Sequence, residues 1–209
     1  MDNSLIKNLL ATIDAMYPWE EKCFLEYEEP WQLLVSTILS AQCTDDRVNR
    51  VTKPLFEKYT SVESFAEADL GELEKDIYQT GMYRMKARHI KYSCIKMIND
   101  FNGAPPRDLG DLLTLPGVGR KTANIIRGHI YREPSVVVDT HVKRVSYRLG
   151  LTTNTDPDKI EFDLMSAIPE NHWIRINQQL ITHGRLICKA RSPKCGDCTL
   201  SAFCQYGKT

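Results

Sequence analysis

Apolar residues repeat at helical spacing along almost the whole of this chain, and that limits its fold more than any other feature. Trp31, Leu33, Leu34, Ile38 and Leu39 form a strongly apolar segment that ends in the polar run Ala41-Gln42-Cys43-Thr44-Asp45. Val48, Val51, Leu55 and Phe56 then recur every three or four positions, as do Leu70, Leu73 and Ile77. A third stripe, Ala87, Ile90, Cys94, Met97, Ile98 and Phe101, is closed by Asn102-Gly103 and broken by Pro105-Pro106. Asp156-Pro157 reads as an N-cap followed by proline at the first helical position. Ile176, Leu180 and Ile181 mark a late helix running toward Cys188. The one β-like run, Ser135 to Val138, is too short and isolated to imply a sheet. The pattern predicts an all-α protein whose 209 residues suffice for one large domain or two small ones.

Charge neither requires nor excludes a polyanionic partner. Lys+Arg and Asp+Glu balance at 27 each, so attraction to nucleic acid must come from uneven placement. Arg107 to Arg148 holds eight Lys/Arg against four Asp/Glu, and Arg185 to Lys208 holds five against Asp197 alone. Glu20, Glu21, Glu26, Glu28 and Glu29 offset this near the start. Taken alone, such unevenness is ordinary solvated surface. Asp2, Asn3 and Ser4 precede only a short amphipathic stretch, which does not read as a signal peptide, and no apolar run approaches the ~20 residues of a membrane span. The expectation is a soluble, cytoplasmic protein. Seven cysteines in a reducing compartment argue against a disulfide scaffold, and the four crowded between 188 and 204 point to metal. Zinc and iron–sulfur both accept four thiolates. Structural zinc sites usually present two close pairs, however, and only Cys195 and Cys198 form one here. Cys23, Cys43 and Cys94 fall in apolar helical settings and read as core.

Between the stripe of Leu109, Leu112 and Leu113 and that of Ala123, Ile126 and Ile130 lies Leu115-Pro116-Gly117-Val118-Gly119-Arg120-Lys121-Thr122-Ala123. Proline and two glycines within four residues force a tight turn with a bare backbone. Successive N–H groups opening into a helix N-terminus suit a phosphate, and Arg120 adds charge. A corner that serves packing alone is the other reading. Lys121 falls in the first turn of the second helix, where a cation opposes the helix dipole. Asp139, after the extended run and before Val142 and Val145, reads as an N-cap.

The nine-residue string resembles the helix–hairpin–helix of the endonuclease III family of DNA glycosylases. The similarity continues through Val138-Asp139-Thr140-His141-Val142-Lys143-Arg144-Val145 and spans nearly the whole chain, from Leu39-Ser40-Ala41-Gln42 to Cys204. The resemblance implies two lobes. One is a six-helix domain over 23–133, with the hairpin at about 109–130. The other is a cluster domain built from 1–22 and 134–209, with the active site in the cleft between them. It implies a bifunctional glycosylase and abasic-site lyase of base excision repair acting on duplex DNA with damaged bases, oxidised pyrimidines above all, or abasic sites. It also implies a monomer. Lys121 would be the Schiff-base amine and Asp139 the assisting carboxylate. Making a lysine amine available at neutral pH costs roughly 4–5 kcal/mol, which the site must offset. His141 would either buttress the site or hydrogen-bond in the interior.

The resemblance further assigns Gln42 and Met82 to the gap left by an extruded nucleotide, Met standing where leucine is common. Gly117, Gly119 and Arg120 would contact the DNA backbone. The Cys188-x6-Cys195-x2-Cys198-x5-Cys204 spacing matches the family's [4Fe–4S] loop, so Cys188, Cys195, Cys198 and Cys204 become cluster ligands. The cluster is expected to be structural, and Lys189, Arg191 and Lys194 would face phosphates. A monofunctional mismatch glycosylase of the same superfamily and a non-catalytic helix–hairpin–helix module are the rival readings. The first usually lacks the hairpin lysine.

Overall fold

A computed structural model describes residues 2–20 and 23–206. Glu21 and Lys208, counted among the charges above, lie outside the described residues, as does Lys22 at the expected domain boundary. The described residues form eleven α-helices and no strand. In chain order they are α1 (Asn3–Met16), α2 (Pro30–Leu39), α3 (Asp45–Lys58), α4 (Val62–Glu67), α5 (Leu70–Asp76) and α6 (Tyr83–Phe101). After these come α7 (Leu109–Leu113), α8 (Arg120–Ile130), α9 (Thr140–Leu149), α10 (Pro157–Ala167) and α11 (Trp173–Leu186).

Short polar side chains decide where many of these helices begin. Asp2, Asp69, Asp108, Asp139 and Asp156 each accept backbone N–H groups of the first turn, filling donors that have no helical partner. Glu29 and Gln32 form a reciprocal box either side of Pro30. Asn102 and Gly150 end α6 and α9 in the left-handed conformation.

The chain divides into two compact units, Lys22–Glu133 and Met1–Glu21 with Pro134–Thr209. Seven α-helices, α2 to α8, belong to the first. Helix α2 packs against α3, α6 and α8, and Leu33, Leu34, Val35, Ile38 and Leu39 are all buried, so it is apolar on every side because it is enclosed. Each such leucine contributes about 1.5–3 kcal/mol on removal from water. Trp31, Phe56 and Phe65 meet edge to face around its start.

In the other unit, Ile6, Leu9, Leu10 and Ile13 of α1 share a core with Val142, Val145, Leu164, Ile176, Leu180 and Leu200. The valine run does not need a sheet to satisfy its backbone. Asn177 of α11 accepts from Val137 N at 3.0 Å and donates to Ser135 O at 3.1 Å, so one buried amide takes the place of a neighbouring strand.

Two of the three remaining cysteines depart from expectation. Cys94 is fully buried in α6, but Cys23 and Cys43 are half-buried in irregular segments either side of α2. They pack on the core from loops. Burial pushes the Cys94 thiol up to about 12 and Cys23 to about 11, which leaves both as inert thiols. Among the described residues no helix is long and apolar enough to cross a membrane.

Candidate functional site

In the unit 22–133 the hairpin joins α7 to α8. Gly117 has φ +79°, and a Cβ there would lie 2.6 Å from His89 Nδ1, so both conformation and space demand glycine. Ser93 Oγ donates to Pro116 O at 2.7 Å. These two α6 residues press the turn into shape, and neither was singled out from sequence, because no local pattern marks them. Gly119 caps α8, with nothing within 4 Å of where its Cβ would stand. The turn therefore presents its backbone openly. Lys121 is exposed in the first turn of α8, and Arg120 before it is half-buried.

Gln42 and Met82 lie in the same unit, both outside the hairpin. Each is exposed, and each adopts the left-handed conformation, with φ of +53° and +47°. For a residue other than glycine that costs of order 1 kcal/mol, and such strain concentrates at working sites. The two segments meet through a residue that sequence reasoning missed. Lys86 of α6 is 1% exposed, and its Nζ donates to Leu39 O and to Thr80 O, both at 2.8 Å. Burial pulls its ammonium below the usual lysine range.

The other unit holds the remaining predicted residues. Asp139 is the N-cap of α9, and its Oδ1 accepts from His141 N at 2.8 Å and Val142 N at 2.7 Å. The carboxylate is half-buried, and among the described residues nothing donates to Oδ2. One oxygen fixes the group while the other stays available. His141 Nδ1 lies 3.1 Å from Arg144 Nη2, and Arg144 in turn donates to Gly184 O and Cys188 O. Burial, with Arg144 and Arg185 nearby, pulls the His141 imidazole down and outweighs the opposing pull of Asp139. A strut therefore runs from the start of α9 to the start of the cysteine loop.

Cys188, Cys195, Cys198 and Cys204 line one cavity of about 70 Å³, together with Val145, Leu149 and His183. Among the described residues no three Cys, His, Asp or Glu converge closely enough to hold a single ion. The four thiols share the wall of that void, and thiolates are the usual ligands of an iron–sulfur cluster. Polar groups already face two of the sulfurs. Arg148 Nη1 lies 3.3 Å from Cys188 Sγ. His183, 1% exposed, stands between Tyr17 Oη at 3.0 Å from Nδ1 and Cys198 Sγ at 3.6 Å from Nε2. Four thiols around a void, with an arginine donating to one sulfur and an imidazole beside another, fit a multi-iron cluster ligated by thiolates. Lys189, Arg191 and Lys194 are exposed on the loop.

The family model described as the HhH-GPD superfamily of base excision DNA repair proteins matches residues 35–170. The endonuclease III of Synechocystis sp. is 48% identical over 197 residues, covering 94% of this chain and 90% of that protein. The chain belongs to the endonuclease III family. The Bacillus subtilis endonuclease III is 44% identical and covers 97% of this chain and 93% of its own length. A solved structure of a trapped endonuclease III–DNA covalent intermediate matches with a TM-score of 0.94 at 42% identity, over 100% of this chain and 98% of that one. Residues 188–204 match the iron–sulfur binding domain of endonuclease III. As a member of this family, the protein is a DNA glycosylase with abasic-site lyase activity in base excision repair, and it carries a [4Fe–4S] cluster.

Proposed function

We propose that Lys121 supplies the amine and Asp139 the carboxylate of this reaction, on an oxidised or ring-damaged pyrimidine extruded from duplex DNA. The lysine nitrogen bonds to C1′ as the C1′–N bond to the base breaks, and the base leaves with a proton. Ring opening gives the Schiff base. Loss of the C2′ proton then expels the 3′ phosphate by β-elimination. Asp139 accepts the proton from the attacking amine and stabilises positive charge developing on the sugar. The Asp139 geometry supports this role. A cap whose Oδ1 is held by two N–H groups has a fixed position, and among the described residues nothing donates to its Oδ2. The exposed Lys121, two residues past Gly119 of an open turn, supports the other half.

In the same reading Gln42 and Met82 enter the gap left in the duplex, and backbone N–H groups around Gly117 and Gly119, with Arg120, hold a phosphate. Lys189, Arg191 and Lys194 meet the DNA backbone farther along, and His141 steadies Asp139 through α9. Cys188, Cys195, Cys198 and Cys204 hold the cluster, which cross-links the C-terminal loop. The pyrimidine preference, the monomeric state and a cytoplasmic location rest on family membership. Borohydride added during incubation with an abasic duplex tests the central claim. Wild type should give a covalent adduct that Lys121→Ala loses. No adduct from wild type would remove the lysine from the reaction.

A further inference from the structure

The gap-filling residues assigned above sit on two separate segments, and the structure holds both through one cation. Leu39 is the last residue of α2, and its carbonyl lacks a helical partner. Thr80 directly precedes Gly81 and Met82. Lys86 Nζ reaches both carbonyl oxygens at 2.8 Å, so the two segments can stand no farther apart than one ammonium spans. From Leu39 the chain runs three residues to Gln42, and from Thr80 two residues to Met82. Both end points are left-handed. Thr80 is itself fastened, its Oγ1 donating to Ile77 O at 2.8 Å. A cation at the end of α2 also suits the helix dipole. Alternative explanations are weaker. A buried lysine kept for packing alone would be better replaced by methionine, because taking an ammonium out of water costs free energy that an apolar side chain avoids.

We propose that Lys86 is a positioning residue that sets the spacing of Gln42 and Met82, so that the two enter an opened duplex as one unit. The inference rests on their assignment to the gap. It adds that neither segment keeps the required position without the ammonium between them.

The test is the fluorescence of 2-aminopurine beside a tetrahydrofuran abasic-site analogue in duplex DNA, read at saturating protein. That sugar cannot form a Schiff base, so chemistry stays out of the signal. Wild type should give a gain as the neighbouring base unstacks, and Gln42→Ala/Met82→Ala should lose most of it. Lys86→Met is expected to lose at least half. Added to the double variant it should change nothing further, because a positioning residue acts only through what it positions. Lys86→Gln, which can still donate to one carbonyl, serves in the same comparison where methionine prevents folding. An additive loss, or a folded Lys86 variant with full gain, overturns the clamp. Full gain in Gln42→Ala/Met82→Ala overturns the gap assignment itself and the clamp with it. That outcome is told apart because it appears while Lys86 is still present.

Discussion

Arg148 Nη1 donates to the sulfur of Cys188 at 3.3 Å. The same guanidinium binds Lys189 O at 2.8 Å and Ala190 O at 3.2 Å, and lies 4.2 Å from the centre of the Tyr206 ring. A residue of α9 thus holds the first turn of the cysteine loop by charge-assisted hydrogen bonds, each worth about 1.5–3 kcal/mol. Arg148→Met should cost roughly 3 kcal/mol and lower the Tm by about 6–12 °C in a chain of this size. It should also speed loss of the iron–sulfur absorbance. Thermal melts followed by circular dichroism and visible absorbance check both, and an unchanged Tm contradicts the role.

Asp139 caps α9, and substitution can separate that structural task from the chemical one proposed for it. Asparagine keeps an oxygen for the N–H groups of His141 and Val142, so Asp139→Asn should fold with a Tm close to wild type. Without a carboxylate to take a proton or face a cationic sugar, excision should fall by about 100-fold or more. Asp139→Ala should lose activity similarly and also destabilise by about 1 kcal/mol through the missing cap. Single-turnover excision and denaturant melts of both variants test this.

Glycine accepts the backbone of Gln42 and Met82 without strain. Gln42→Gly and Met82→Gly should therefore each raise stability by about 0.5–1 kcal/mol while weakening excision from duplex DNA. Paired urea melts and activity assays measure it, and a loss of both properties would mean the left-handed turns are not strained.

Glu133 accepts from Arg107 Nε at 2.5 Å and from Arg127 Nε at 2.9 Å. These guanidiniums hold its carboxyl below the usual glutamate range. A depressed folded pKa means the unfolded chain binds the proton first on acidification. The stabilisation is therefore complete above the unfolded value of about 4.3 and is lost as pH falls through the folded one. The stability gap between wild type and Glu133→Gln should stay constant from pH 8 to about 5 and close below that. Chemical denaturation across this range reads it directly.

Much of the proposed site is legible along the chain because it is written in local spacing. The hairpin glycines, Lys121 just after them, Asp139 at a helix start and the four cysteines each occupy one short segment. The helical stripes carried the all-α architecture for the same reason. A helix is a relation between residues three and four apart, and a tight turn is a relation among four neighbours.

What the chain order does not carry is which distant groups meet. Lys86 finds the carbonyl of Leu39 across 47 positions, Asn177 finds Val137 across 40, and Tyr17 finds His183 across 166. In the first two pairs one partner is a backbone atom, present at every position whatever the side chain, so no residue type marks the contact. Spacing within each segment fixed the helices, the turn and the ligand loop. Packing alone decided which buried cation or amide would satisfy a backbone group left open where a helix ends or an extended run has no neighbouring strand.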